Sequence, residues 1–274
     1  MKNQKMLTLC LFASVLSLGV TGCTKSKTLV GFDTDLAKAV AAKLGVEAKF
    51  QEIVWEQKEI ELSSKAIDLI WNGFTITEER KEALSFTVPY LENKQVVVAK
   101  NAFGTIDGSA SYKVAVEAGS AGSDAFDTDI AFKNSSKVEV TDQITALTEV
   151  LSGTSDLAII DGVMAGYYLT DSSSYGKSLK VVSDYQASSE YYGIGARKGE
   201  EALVSKLNGA LKSAYDDGTT STIAKKYGLT DALVAPASFT AYSDIQDTSS
   251  WDAIVKKGNL VIGYTIFAPI AYME

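Results

Sequence analysis

The 274-residue chain has no histidine, two cysteines (Cys10 and Cys23) and three prolines. Without histidine, a Ser-His-Asp triad and every histidine-ligated metal site are excluded. Two cysteines are too few for a thiolate metal cage. The composition therefore predicts no resident metal and no cofactor, and it argues against hydrolytic enzymes.

Positive charge is also scarce. The chain carries 34 acidic and 26 basic residues, for a net charge of −8. The basic residues form no stripe, so we expect no nucleic-acid partner. The length suits two modest domains with substantial hydrophobic cores.

The N-terminus has the pattern of an export signal. Lys2 and Lys5 precede an apolar run, and small residues close it before Cys23. The last residues resemble a bacterial lipobox, which implies removal of residues 1–22 and a lipid thioether on Cys23. The same resemblance implies that residues 23–27 form a polar tether and that the protein is held at the extracytoplasmic face of the cell membrane. The alternative is an ordinary signal peptide whose cleavage site lies near a cysteine.

Apolar patterns of strand and helix alternate along the rest of the chain, which predicts an α/β fold. We expect two lobes, each a mostly parallel sheet flanked by helices. Asp33 or Thr34 is expected to cap the first helix. Extended crossings at residues 91–95 and 188–191 are the predicted hinge.

The segment from Asp68 to Lys81, DLIWNGFTITEERK, is the most informative motif. A short apolar strand breaks at Asn72-Gly73 and leads to Thr75, Thr77 and Arg80. Ligands of open α/β sheets bind outside the carboxyl ends of the strands. The guanidinium of Arg80 suits a carboxylate, so the motif predicts a site for a small carboxylate ligand. The alternative is that Arg80 is a solvated surface residue.

Several blocks of the sequence resemble the solute-binding proteins of polar amino-acid ABC importers, bacterial family 3. They are LVGFDTDLAKAVAAKLGV, DLIWNGFTITEERKEALSFTVPY, VAVEAGSAGSDAF, DLAIIDGVMAGYYL and YYGIGARKG. The resemblance implies a two-lobed fold of the type II periplasmic-binding-protein kind. Lobe 1 is expected to comprise residues 28–92, 190–230 and 251–274, and lobe 2 residues 93–189, with residues 231–250 as a linker.

One block is out of its family position. The segment WDAIVKKGNLVIGYTIFAPIAYME resembles the family's first block but stands last here. This order suggests a circular permutation or a fragment of a tandem array. We expect the apolar strand at residues 259–265 to complete lobe 1 of the same molecule, because the sheet would otherwise expose two unpaired edges. Donation to a neighbouring molecule is the alternative.

The resemblance also implies how a polar L-amino acid is held. Arg80 would bind the α-carboxylate with help from Thr75, and Ser120 would add the N-terminus of a helix. Asp161 would accept the ammonium group, with the carbonyl of Gly73 as a second acceptor. Three aromatic residues would form the walls: Trp55, Phe74 and Phe267.

Three of these residues have a simpler alternative role. Trp55 and Phe267 fit plain core packing, and Asp161 fits a helix N-cap before Gly162.

Glu117 stands where some family members have a lysine, and it would favour a cationic ligand such as arginine if it faces the cleft.

The resemblance implies a receptor without enzymatic activity that passes its amino acid to the permease subunits of an ABC importer. Two alternatives are a sensor module without a transport role and a non-functional fragment. A dehydratase on the same fold is disfavoured, because histidine and a poised carboxylate pair are both missing.

Overall fold

The computed structural model describes residues 27–185 and 188–274. The predicted signal peptide and Cys23 lie outside these residues. The described helices are α1 Phe32–Leu44, α2 Lys58–Ser63, α3 Glu78–Ala83, α4 Ala121–Thr128, α5 Gln143–Ser152, α6 Gly162–Tyr168, α7 Glu201–Asp216, α8 Thr219–Tyr227 and α9 Ser249–Lys257. Within the same residues, no helix is both long and apolar enough to span a bilayer.

The described strands form two large sheets and one small pair. They are β1 Leu29–Val30, β2 Glu47–Glu52, β3 Leu69–Ile70, β4 Leu84–Phe86, β5 Leu91–Lys100, β6 Lys113–Glu117, β7 Ser136–Val140, β8 Leu157–Asp161, β9 Leu179–Val181, β10 Ser189–Tyr192, β11 Gly195–Arg197, β12 Asn259–Tyr264 and β13 Tyr272–Met273. We call the part built on the sheet β2-β12-β3-β11-β4 lobe 1. The part built on β10-β5-β8-β6-β7, with β9 against β5, is lobe 2.

The strand pairings are mixed in both lobes. In lobe 1, β12 is parallel to β2 and β3, whereas β11 is antiparallel to β3 and β4. In lobe 2, β6 is parallel to β7 and β8, whereas β5 runs antiparallel to its partners. The carboxyl ends of β6 and β8, which carry Glu117 and Asp161, therefore lie at the same edge of the sheet.

Strand β12 is an interior strand of the lobe 1 sheet and lies between β2 and β3. Its residues pair from Asn259 with Glu47 to Tyr264 with Glu52, and Ile262 and Gly263 pair with β3. Leu260 and Ile262 are fully buried. The chain therefore completes this sheet with its own C-terminal strand, as an apolar strand with two buried faces requires.

The segment before β12 follows the surface of lobe 1. The Val234 amide donates to the Tyr90 carbonyl, and the Ser205 hydroxyl donates to the Thr240 carbonyl. The ammonium of Lys206 lies 3.7 Å from the ring centroid of Tyr242. These contacts hold residues 231–250 against the lobe as they lead to α9.

The first helix begins earlier than its sequence suggested. Helix α1 starts at Phe32 after Gly31, and neither Asp33 nor Thr34 is its N-cap. The carboxylate of Asp33 is buried instead and accepts hydrogen bonds from the Gly73 amide at 2.7 Å and the Tyr90 hydroxyl at 2.8 Å. The cap prediction was therefore wrong, because burial against β3 directs this side chain inward.

Strands β5 and β10 connect the lobes. They pair antiparallel, from Leu91 with Tyr192 to Lys94 with Ser189. The two predicted crossings are thus hydrogen-bonded neighbours, which places the polar side chains of both strands beside the cleft.

Candidate functional site

A small cavity lies between the lobes. Seven of the eight residues predicted to bind the ligand line it: Trp55, Gly73, Thr75, Arg80, Ser120, Asp161 and Phe267. Arg80 comes from lobe 1 and Asp161 from lobe 2, so one cavity brings together a cation and an anion on opposite lobes.

Phe74 does not line this cavity, contrary to the sequence prediction. It is fully buried and packs edge-on against Trp55, at 5.7 Å between ring centroids, and against Phe86. Its ring supports the cavity from behind, since the Arg80 guanidinium lies 5.0 Å above it. The chain turns at Gly73, which has a φ of 61°, so Gly73 lines the cavity and the ring of Phe74 lies behind it.

Local structure holds Arg80 in place. Thr77 caps α3 by accepting a hydrogen bond from the Arg80 amide at 3.1 Å. The guanidinium Nη1 donates to the Thr75 carbonyl at 2.9 Å. Nη2 lies 3.4 Å from the Gly119 carbonyl and 3.3 Å from Asp124 Oδ2, both in lobe 2. The side chain is only 10% exposed, so Arg80 is not a solvated surface residue.

Ser120 is the N-cap of α4. Its hydroxyl accepts from the Ser123 amide at 3.2 Å, and the residue is buried. The first turn of this eight-residue helix therefore faces the cavity beside Arg80, where its free N–H groups favour an anion.

Asp161 ends β8 and is buried. Its carboxylate makes no capping bond to α6. Four side chains donate to it: Gln95 at 2.9 Å, Tyr192 at 2.8 Å, Asn93 and Gln143. Burial raises the pKa of Asp161, and these hydrogen bonds partly offset the increase. Asp161 is therefore the N-cap residue of α6 by position, but its side chain accepts hydrogen bonds from other elements instead of capping the helix.

A second carboxyl shares the same amide donors. Glu190 Oε1, on β10, accepts from Gln95 Nε2 at 2.8 Å, Asn93 Nδ2 at 2.6 Å and the Thr75 hydroxyl at 3.1 Å. Burial and the neighbouring charge of Asp161 raise the pKa of Glu190 to about 7. Because β10 is one of the connecting strands, Glu190 links the ammonium-binding candidate Asp161 to the junction of the lobes.

Lys58 is the main cation that the sequence interpretation missed. It is buried, and its Nζ donates to the Gly119 carbonyl at 3.0 Å while lying 5.1 Å from the Trp55 ring centroid. Burial and the charge of Arg80 lower the pKa of Lys58 to about 8. A lysine at the start of a short helix gives no sequence signal that separates it from exposed lysines.

Four further polar residues line the cavity: Asn72, Glu117, Gln143 and Thr265. The Asn72 amide donates to the Thr265 hydroxyl at 3.0 Å, which joins the end of β3 to the segment after β12. Within residues 27–185 and 188–274, no group of three histidine, cysteine or acidic residues is arranged to hold a metal ion.

Comparison with known protein families shows which family this chain belongs to. The model of the bacterial extracellular solute-binding proteins, family 3, matches residues 20–230. The chain belongs to this family.

Individual proteins that are similar to this chain support the same family assignment. The arginine-binding extracellular protein ArtP of Bacillus subtilis (strain 168) is 31% identical over 205 residues, which cover 73% of this chain and 78% of ArtP. An ABC uptake transporter substrate-binding protein of Streptococcus pneumoniae, solved with bound histidine, is 34% identical with a TM-score of 0.68, covering 74% of this chain and 85% of that one. An ancestral arginine-binding protein bound to arginine is 34% identical with a TM-score of 0.65, covering 73% and 88%. These relatives are solute-binding proteins, and the fold of this chain is the type II periplasmic-binding fold of family 3.

Proposed function

We propose that this chain is an extracytoplasmic receptor that binds a polar L-amino acid between its lobes and delivers it to an ABC importer. The observation that carries the proposal is the shared cavity of Arg80 and Asp161. A zwitterionic amino acid offers a carboxylate to the guanidinium and an ammonium group to the carboxylate. Binding both ends requires the lobes to be closed, so the ligand favours the closed state.

The remaining cavity residues have matching roles in this proposal. Ser120 and the start of α4 assist Arg80 at the α-carboxylate, as does the backbone of Thr75. The carbonyl of Gly73 accepts from the ammonium group. Trp55 and Phe267 enclose the ligand between their rings.

The thermal stability of the purified protein tests this function. Each of the twenty L-amino acids is added in turn, and a ligand at 100 times its Kd stabilises the fold by about 2.7 kcal/mol. We expect one or a few amino acids to raise the Tm, and we expect Arg80→Ala and Asp161→Ala to abolish the increase. Lys81→Ala, an exposed neighbour of Arg80, is the matched control. A flat panel, or stabilisation that survives both cavity substitutions, would overturn the proposal.

We also propose that Cys23 carries a lipid anchor after removal of residues 1–22. The support is the small-residue motif before Cys23. Cells fed a palmitate analogue should label the protein and retain it in the membrane fraction, and Cys23→Ala should lose both properties. Cys10→Ser, within the predicted signal, controls for nonspecific labelling. Labelling that persists in Cys23→Ala would refute the anchor.

The order of the blocks fits a permuted family member. The family match ends at residue 230, whereas β12, an interior strand of the lobe 1 sheet, comes later in the chain. We propose that β12 and the segment through Phe267 supply the strand and cavity wall that the resemblance assigns to the family's first block.

A further inference from the structure

Glu117 is a cavity carboxyl with little support from the protein. It ends β6, lines the cavity and is 5% exposed. From the described part of the chain, its carboxyl accepts one hydrogen bond, from Gln143 Nε2 at a long 3.4 Å. Asp161, in contrast, accepts from four side chains.

Within residues 27–185 and 188–274, none of the ion pairs includes Glu117. Asp161 and Asp142 are the negative groups that act on it, and Lys58 is the positive one. The Lys58 ammonium is engaged with the Gly119 carbonyl and the Trp55 ring. Burial and the charge of Asp161 therefore raise the pKa of Glu117 to about 8.

We infer that Glu117 binds the cationic side chain of the ligand, so that the cavity selects basic amino acids with an ammonium or guanidinium group. This inference rests on the proposed function, because the α-amino and α-carboxylate groups must first be held by Asp161 and Arg80. An ionised carboxylate in a closed cavity requires a compensating charge. A basic ligand brings that charge with it, whereas a neutral ligand leaves Glu117 protonated.

Binding of a cationic ligand at Glu117 should release a proton, and this release can be measured. When a basic ligand binds near neutral pH, the Glu117 carboxylic acid gives its proton to solvent, and the carboxylate pairs with the ligand cation. A neutral ligand causes no such release from Glu117. The preference for the cation should therefore increase with pH below about 8, by up to about tenfold per pH unit.

L-arginine and L-citrulline are the probes for the experiment. They have nearly the same shape, but the citrulline side chain is uncharged. Calorimetry between pH 5.5 and 7.5 gives the Kd of each ligand. The ratio of the citrulline Kd to the arginine Kd removes the effect of Asp161 ionisation, because both ligands have the same α-ammonium group. Repetition in buffers with different ionisation enthalpies counts the released protons. The variant is Glu117→Gln, and the control is Glu139→Gln, an exposed glutamate on the adjacent strand β7.

We expect the protein to prefer arginine by about tenfold or more, with the preference rising with pH. In Glu117→Gln the ratio should fall towards one and lose its pH dependence, whereas Glu139→Gln should match the unmodified protein. If citrulline or glutamine binds as tightly as arginine, or if the ratio is unchanged in Glu117→Gln, this inference is overturned. The proposed function as an amino-acid receptor is not affected by either result. Failure to bind any amino acid would overturn both.

Discussion

Lys58 of lobe 1 donates a hydrogen bond to the carbonyl oxygen of Gly119 in lobe 2, at 3.0 Å. The same oxygen lies 3.4 Å from Nη2 of Arg80. Gly119 has a φ of 67°, a conformation that suits glycine and turns this carbonyl between the two cations. One backbone atom of lobe 2 thus contacts two cations of lobe 1. Because these contacts join the two lobes, we expect them to break when the lobes separate.

Loss of the Lys58 ammonium should therefore weaken closure. We expect Lys58→Met, which keeps the aliphatic stem, to lower ligand affinity about three- to tenfold, since a hydrogen bond contributes about 1 kcal/mol. The Kd and the small-angle scattering radius of gyration provide the measurement. Lys225→Met, at an exposed position on α8, is the control. Unchanged affinity together with an unchanged radius would show that the contact does not stabilise the closed state.

The site residues that could be predicted from the sequence lie near the ends of strands or at the start of a helix. Asp161 is the last residue of the apolar strand β8, and Arg80 lies in α3, the first helix after the short apolar strand β3. Ligands of α/β sheets bind at such strand ends. Ser120 was predictable for a similar reason, because a serine before a helical pattern is a common N-cap.

The residues around Asp161 could not be found in this way. Asn93 and Gln95 on β5, Gln143 on α5 and Glu190 on β10 reach the carboxylate or its donors from distant parts of the chain. Each looks in sequence like an ordinary polar residue of its element. Their meeting depends on the pairing of β5 with β8 and β10, which local patterns do not specify.

Glu190 should make stability depend on pH. Its pKa is raised to about 7, above an unfolded value of about 4.3. Between these values the folded protein holds a proton that the unfolded chain has released, so ionisation of Glu190 destabilises the fold as pH rises from 5 to 7.5. We expect Glu190→Gln to reduce the fall in Tm over this range in the ligand-free protein.

Glu92→Gln is the matched control for Glu190, since Glu92 is exposed on the adjacent strand β5. Its Tm should follow pH as in the unmodified protein. If the curves of Tm against pH are parallel for the unmodified protein and Glu190→Gln, then Glu190 has the same pKa in the folded and unfolded states, contrary to this prediction.

Gly122 allows α4 to lie close to β8. A Cβ placed at Gly122 would come within 2.9 Å of the Ile159 carbonyl oxygen and 3.2 Å of Gln95 Oε1. We expect Gly122→Ala to destabilise the fold by about 1–3 kcal/mol, because backbone must move to make room. Denaturant unfolding measures the change.

Gly166 on α6 provides the contrast, since a Cβ there meets nothing within 4 Å. Gly166→Ala should be neutral or stabilise by up to about 1 kcal/mol, as alanine is the better helix former. Equal effects of the two substitutions would mean that helix propensity, and not the approach of α4 to β8, determines the result.

Strand β12 should form its sheet contacts within one molecule. Lys49 and Val261 are paired residues of β2 and β12, and adjacent strands lie about 4.8 Å apart, within reach of a disulfide. With Cys10 and Cys23 replaced by serine, oxidation of Lys49→Cys/Val261→Cys should give a covalently closed monomer on a non-reducing gel. Mixing the two single variants should give no disulfide-linked dimer, because β2 already pairs with the β12 of its own chain. A linked dimer from that mixture would show instead that neighbouring molecules exchange the strand, and each cavity would then take its Phe267 wall from another copy.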